Sequence, residues 1–358
     1  MILIVLDGVR AQKDSVLIRA ELEAEGISDI RALWIGSAEV LIVPHTDRSI
    51  ADRVEAVSRS ARVLVPVGGS PLAEMSVAGT GSIVTIAGTV SLGGPEFVVA
   101  AGPCAVESLA QLKASAAAVK ESGGTILRGG AYKPRTSPYS FQGLHRPGVE
   151  LLAQVGREFG LPVVSEIVDV RDLDEMIDKV DMFQVGARNA QNYTLLAELG
   201  RAEVPVLLKR GFGCTIDEWL GAAEYVLQEG NPDVVLCERG IRSFEHATRF
   251  TLDLAAVAVL KRRTHLPVIV DPSHSVGRRE LVLPMALAAA AVGADGLIVD
   301  VHTDPTSAQC DAEQALLAGE FDELMKALGG VVSGVGRSFS VGEPIVAAHG
   351  LDEQPIPR

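Results

Sequence analysis

The stretch Gly129-Gly130-Ala131-Tyr132-Lys133-Pro134-Arg135-Thr136-Ser137 carries two cations and, at Thr136 and Ser137, two aliphatic hydroxyls on a backbone that cannot be an ordinary helix. Gly129 and Gly130 allow a turn where a side chain would clash. Pro134 fixes its own φ and biases Lys133 toward an extended conformation. With Arg128 just before, the segment is a stiff cationic loop, and guanidinium, ammonium and hydroxyl donors held in this way suit phosphate oxygens. Further cations stand at Arg188, Lys209, Arg210 and Arg239, each just after a short apolar run. Cys104, His274, Asp300 and Asp311 occupy the same kind of place. A thiolate, an imidazole and carboxylates together form a donor set for a divalent transition metal: Mn, Fe, Co or Zn by ligand softness. Cys237 reads as a core residue, and Cys310, adjacent to Asp311, as an outer or redox-sensitive thiol.

Composition narrows the chemistry. The chain has 358 residues, a net charge of −14 and 47% hydrophobic residues. An acidic protein that still clusters its cations in a few loops places them for a small anionic ligand, and nucleic acid or an anionic membrane is excluded as the main partner. Cys104, Cys214, Cys237 and Cys310 form no CxxC pair, which gives neither a disulfide framework nor a zinc finger and points to a reducing, cytoplasmic setting. The first residues lack a basic segment and a long apolar core, so no signal peptide is expected. The apolar run 283–292 is too short to span a bilayer and reads as a buried helix.

These side chains act together only if the fold brings them to one place. From residue 97 onward a short apolar, β-branched run recurs, at 97–101, 125–127, 163–165, 182–185, 206–208, 234–236, 268–270 and 297–299. Amphipathic helical segments separate the runs, near 108–121, 148–159, 171–179, 190–199, 216–228, 245–262 and 281–292, with a last helix over 311–328. Strict alternation with strands apolar throughout predicts a parallel sheet covered on both sides. Eight units predict a (β/α)8 TIM barrel over 97–330, whose active site lies beyond the C-terminal ends of the strands. The unusual polar residues fall in those places.

Residues 1–67 predict a separate unit: strands at 2–6, 30–35, 40–43 and 63–67, with helices at 12–25 and from Asp47 or Ser49 to 58. The order β-α-β-β-α-β is ferredoxin-like. Nothing in it looks catalytic, His45 and Asp47 being isolated. Residues 68–96 read as a linker with a hairpin around Gly88, and 331–358 as a loosely held tail.

The motifs around Gly102-Pro103-Cys104-Ala105-Val106-Glu107, residues 129–143, Gly186-Ala187-Arg188-Asn189, Leu208-Lys209-Arg210-Gly211, Cys237-Glu238-Arg239-Gly240 and Asp271-Pro272-Ser273-His274 resemble those of 3-deoxy-D-arabino-heptulosonate 7-phosphate (DAHP) synthases, in the type Iβ branch. The resemblance runs from about 97 to 321. It implies a metal-dependent condensation of phosphoenolpyruvate with erythrose 4-phosphate, at the entry to the shikimate pathway. By the motif match, Arg128, Lys133, Arg188, Lys209 and Arg239 would hold phosphoenolpyruvate, with Ala187 beside them, and Arg135 and Thr136 the phosphate of the aldehyde. Cys104, His274, Asp300 and Asp311 would hold the metal, and Lys133 would donate a proton to the new alkoxide. The match makes Lys133, Cys104 and His274 the catalytic set. Members of this branch usually carry Glu where Asp300 stands. The N-terminal unit resembles a regulatory extension that binds an aromatic amino acid, and a homo-oligomer is expected. The alternatives are the sister enzyme that makes an octulosonate phosphate and a catalytically weakened, metabolite-sensing barrel. The sister usually has Ala-Asn-Arg-Ser after the lysine, where this chain has Pro134-Arg135-Thr136-Ser137.

Overall fold

The structure is a computed structural model that describes residues 1–44, 47, 49–65 and 69–339. Its first unit runs β1 (Ile2–Leu6), α1 (Ala11–Ala24), β2 (Arg31–Ile35), β3 (Ala38–Val43), α2 (Ser49–Val57) and β4 (Arg62–Leu64). The strands form an antiparallel sheet in the order β2-β3-β1-β4, the ferredoxin-like arrangement. Strand alternation sends Ile2, Ile4 and Leu6 to one face, where they pack with Ile18 and Leu22 of α1 and Val54 of α2. Leu3, Val5, Ile35 and Val40 point the other way and join the hydrophobic cluster of the large domain. His45 and Val67 lie outside the described residues.

A short helix, α3 (Met75–Ala78), and a hairpin, β5 (Val84–Ile86) with β6 (Val90–Leu92), lead into the barrel. The barrel strands are β7 (Glu96–Gly102), β8 (Ile126–Arg128), β9 (Val163–Ile167), β10 (Met182–Val185), β11 (Val206–Lys209), β12 (Val234–Glu238), β13 (Val268–Val270) and β14 (Gly296–Asp300). They pair in parallel in chain order, and β14 closes on β7. This is a (β/α)8 TIM barrel. Its outer helices are α4 (Leu109–Glu121), α5 (Arg146–Phe159), α6 (Leu173–Met176), α7 (Tyr193–Arg201), α8 (Ile216–Leu227), α9 (Leu254–Arg263) and, after the short α10 (Pro272–Val276) that follows β13 at the barrel mouth, α11 (Arg279–Ala291) and α12 (Ala318–Gly334). Among the described residues no helix is long and apolar enough to cross a membrane.

The barrel interior is built from alternate strand residues. Val98, Ile126, Val164, Met182, Leu207, Val235, Ile269 and Ile298 form one cluster with Val84, Ile86, Val90 and Leu92 of the hairpin. The hairpin thus plugs the N-terminal end of the barrel. Two residues further along, the same inward direction falls to Arg128, Glu166, Gln184, Lys209, Cys237, Asp271 and Asp300. Period-two alternation therefore carries the apolar core upward into a polar mouth. Cys237 is fully buried in that core, as expected.

Three expected elements differ. The helix expected over 245–262 begins only at Leu254, where the Asp253 side chain accepts from the Ala256 amide. Before it, Ile241 pairs with Thr251, and Ser243 bonds Thr251 by hydroxyl groups at 2.6 Å. Such local side-chain bonds compete with the helix and leave Arg249 and Phe250 in the mouth. The helix expected from Asp311 begins at Ala318, because Asp311 has φ +54° and cannot enter a right-handed helix. Residues 331–339, expected to be loose, are held: α12 runs through Gly334, and β15 (Ser338–Phe339) pairs with β7. Residues 340–358 lie outside the described residues.

Candidate active site

The mouth of the barrel holds a cavity of about 280 Å³ lined by Arg128, Lys133, Arg135, Thr136, Ala187, Arg188, Lys209, Arg239, His274 and Asp311 among others. Cys104 and Asp300 stand behind that lining. The backbone after β7 runs beside the loop after β8, Ala105 pairing with Gly130. A Cβ at Gly130 would sit 2.6 Å from the Cys104 carbonyl oxygen, so only glycine lets the two loops meet. That approach brings the Lys133 ammonium to 3.1 Å from Cys104 Sγ and 3.1 Å from the Cys104 carbonyl oxygen.

The cations fall into two groups. Arg128 donates to Asp300 at 2.5 Å, Lys209 to Asp271 at 2.5 Å, and Lys133 faces Glu166 at 3.9 Å, all buried. Burial alone would lower the pKa values of Arg128 and Lys133, but Asp300 raises the first, and Cys104 with Glu166 the second. Both stay charged. Arg135, Arg188 and Arg239 have no carboxylate within ion-pair distance among the described residues. Arg239 is the telling case. It is 4% exposed, one of its terminal nitrogens is buried without a partner, and burial pulls its pKa down to about 10. It leans on a stacked pair of rings, 4.8 Å from the Phe212 centroid and 4.2 Å from the Phe250 centroid. One terminal Arg239 nitrogen donates to the His274 carbonyl oxygen at 3.2 Å and the other has no partner. A buried guanidinium with an open nitrogen, beside two arginines without a carboxylate, suits an anion supplied by a ligand.

Beside these cations lies the cluster of soft and hard donors. His274 Nε2 is 3.6 Å from Cys104 Sγ, 3.6 Å from Asp300 Oδ2 and 3.7 Å from Asp311 Oδ2. Four ligands at ordinary zinc-type bond lengths stand about 3.6 Å apart along a tetrahedral edge, so these separations fit one divalent ion. Cys104 Sγ and Asp311 Oδ2, at 2.9 Å, are closer and share a hydrogen bond. The Asp271 carboxylate holds His274 Nδ1 at 2.9 Å, which turns Nε2 toward the donor cluster as the ring nitrogen suited to a metal. Burial would lower His274, but Asp271 and Asp300 raise it to about 10.

The chain matches the DAHP synthetase I family over residues 80–333. It belongs to that family. A Thermotoga maritima protein named phospho-2-dehydro-3-deoxyheptonate aldolase is 51% identical over 239 residues, covering 67% of this chain and 71% of its own length. A Bradyrhizobium 2-dehydro-3-deoxyphosphooctonate aldolase is 30% identical over 71% of this chain and 95% of its own length. The crystal structure of the Thermotoga maritima DAHP synthase superposes with a TM-score of 0.75 at 40% identity, covering 94% of this chain and 99% of that one. A truncated form of the Thermotoga enzyme gives a TM-score of 0.71 at 42% identity, over 76% of this chain and all of that one.

Several residues in this DAHP synthetase family site had no assignment from sequence. Phe212 and Phe250 support Arg239, and their signal was faint: two aromatics in strand-end loops of a chain with only 4% aromatics. Asp271 pairs with both Lys209 and His274. Arg249 holds Asp311 Oδ1 at 2.8 Å, and Gln314 donates to Asp300 Oδ2 at 2.8 Å. Arg210, by contrast, turns out of the cavity into Glu238 and Asp253.

Proposed function

We infer that the chain condenses phosphoenolpyruvate with erythrose 4-phosphate and water to give 3-deoxy-D-arabino-heptulosonate 7-phosphate and inorganic phosphate, the entry step of the shikimate pathway. The observation that carries this is the meeting, in one family-defined barrel mouth, of three arginines without a carboxylate partner, one of them the buried Arg239, and a Cys-His-Asp donor cluster. The octulosonate sister activity is disfavoured by 51% identity to the heptonate enzyme against 30% to the octonate one.

Arg128, Lys133, Arg188, Lys209 and Arg239 would bind the carboxylate and phosphate of phosphoenolpyruvate, with the Ala187 backbone beside them. Arg135 and Thr136, nearer the cavity rim, would take the phosphate of the aldehyde. Cys104, His274, Asp311 and Asp300 fit a divalent ion, Mn, Fe, Co or Zn, which when bound supplies Lewis acidity toward the aldehyde oxygen. Carbon 3 of phosphoenolpyruvate attacks the aldehyde carbon. Lys133, kept protonated by Cys104 and Glu166, delivers its proton to the oxygen that becomes an alkoxide. Water adds at carbon 2 and phosphate leaves, while the fixed cations offset the charge that develops.

Residues 1–67 are proposed as a regulatory unit that binds an aromatic amino acid, 68–96 as linker and hairpin, and 97–330 as the catalytic domain, in a cytoplasmic homo-oligomer. Phosphate release with erythrose 4-phosphate, with arabinose 5-phosphate and after chelation tests the activity. Chelator-sensitive turnover of the four-carbon aldehyde is expected, and turnover of arabinose 5-phosphate alone would overturn the reading. Inhibition by Tyr, Phe or Trp tests the regulatory unit, and light scattering the assembly.

A further inference from the structure

We propose that Cys310 is a ligand of the metal ion, so that two thiolates, Cys104 and Cys310, hold it together with His274 and Asp311. This rests on the metal-dependent reading of the site above. Cys104 Sγ, Cys310 Sγ and an Asp311 oxygen lie within 4.8 Å of one another. Cys310 is buried and packs with Cys104, Ala105 and Phe141.

Adjacent residues of an extended chain point to opposite sides, so Cys310 and Asp311 would ordinarily diverge. Asp311 breaks that alternation with φ +54°. Strain of this kind persists only where the surroundings hold it and clusters at functional sites. The loop is held by Glu107, whose carboxylate accepts from the Gln309 amide at 2.8 Å, and by Arg249, which takes Asp311 Oδ1 and leaves Oδ2 toward Cys104.

The competing fourth ligand is Asp300, and both its oxygens are engaged. Oδ1 accepts from Arg128 at 2.5 Å and Oδ2 from Gln314 at 2.8 Å. Turning Oδ2 onto a metal would displace Gln314 and leave its buried amide without that partner, while Oδ1 stays with Arg128. Ligation by Cys310 gives up only its thiol hydrogen bond with Cys104. Each thiol gives up its proton on ligation, and Lys133, 3.1 Å from Cys104 Sγ, offsets the added negative charge. A two-thiolate site favours thiophilic ions over Mn.

Cobalt(II) titration of the full-length reduced protein, read by thiolate-to-metal charge-transfer absorption without any turnover, tests this. Cys310→Ser and Cys104→Ser are each expected to lose about half of that absorption, and the double variant all of it, since the band scales with thiolate ligands. Far-UV circular dichroism checks that each variant is folded. A full-strength band in Cys310→Ser, with a diminished one in Cys104→Ser, would overturn the inference while leaving the metal site in place. No band in the wild type would overturn both. X-ray absorption of the zinc-loaded wild type gives the same count without substitution: two sulfur scatterers support the inference, and one sulfur refutes it.

Discussion

The proposed roles of Lys133 and Arg239 in the cavity differ, and substitutions should separate them. Lys133→Met keeps the chain length but removes the proton and the charge beside Cys104. Its kcat should fall by about 10²–10⁴-fold, the range for loss of a general acid, with the fold intact by circular dichroism. Arg239→Lys keeps the charge but loses the planar contact with Phe212 and Phe250. The KM for phosphoenolpyruvate should rise by about 10–100-fold, the equivalent of one charged hydrogen bond, and an unchanged KM would remove Arg239 from the anion site. His274 supplies a pH prediction. Its pKa is raised to about 10 before metal binds, so below that value the ion must displace a proton. Apparent metal affinity should therefore climb as pH rises through neutrality, with proton release detectable by calorimetry in buffers of different ionisation enthalpy.

The elements carry their own constraints. Gly102 ends β7 at φ +147°, and a Cβ there would lie 2.2 Å from the Arg128 carbonyl oxygen. Gly102→Ala must push β7 from β8, moving Cys104 away from Lys133, so it should lower both Tm and turnover. Helix α8 is tied to the linker through Glu224, which accepts from the Leu72 and Ala73 amides at 2.9 and 3.1 Å. Burial raises its pKa to about 7, although those amides favour the carboxylate. An unfolded glutamate titrates at about 4.3. Between these values the folded chain holds a proton that the unfolded chain lacks, so this contribution to stability is full below about 4.3 and is lost as pH rises to about 7. Denaturant melts across that window should show the slope in wild type, and Glu224→Gln should flatten it.

Across the whole molecule, the N-terminal sheet is covered on both faces, by its own helices and by the barrel. Deleting residues 1–70 should expose an apolar face, lower Tm and promote aggregation, while the barrel retains turnover. Loss of turnover with a folded barrel would show that the first unit completes the site. Much of this architecture is legible in the residues themselves. The apolar runs place Ile126, Val164, Leu207 and Ile298 inside the barrel, and the pleat then forces Arg128, Glu166, Lys209 and Asp300 into its mouth. The motif glycines mark where loops must touch. Pairing was not legible. That Arg128 is bound to Asp300 while Arg239 is left open, that Phe250 comes forward from a segment with helical composition, and that Cys310 faces Cys104 are all contacts between residues far apart in the chain. Sequence determined which side chains reach the mouth, because alternation and turn chemistry are local. Only the closed barrel decided which of them neutralise one another and which stay free for a ligand, because buried charges are settled by the neighbours that packing gives them.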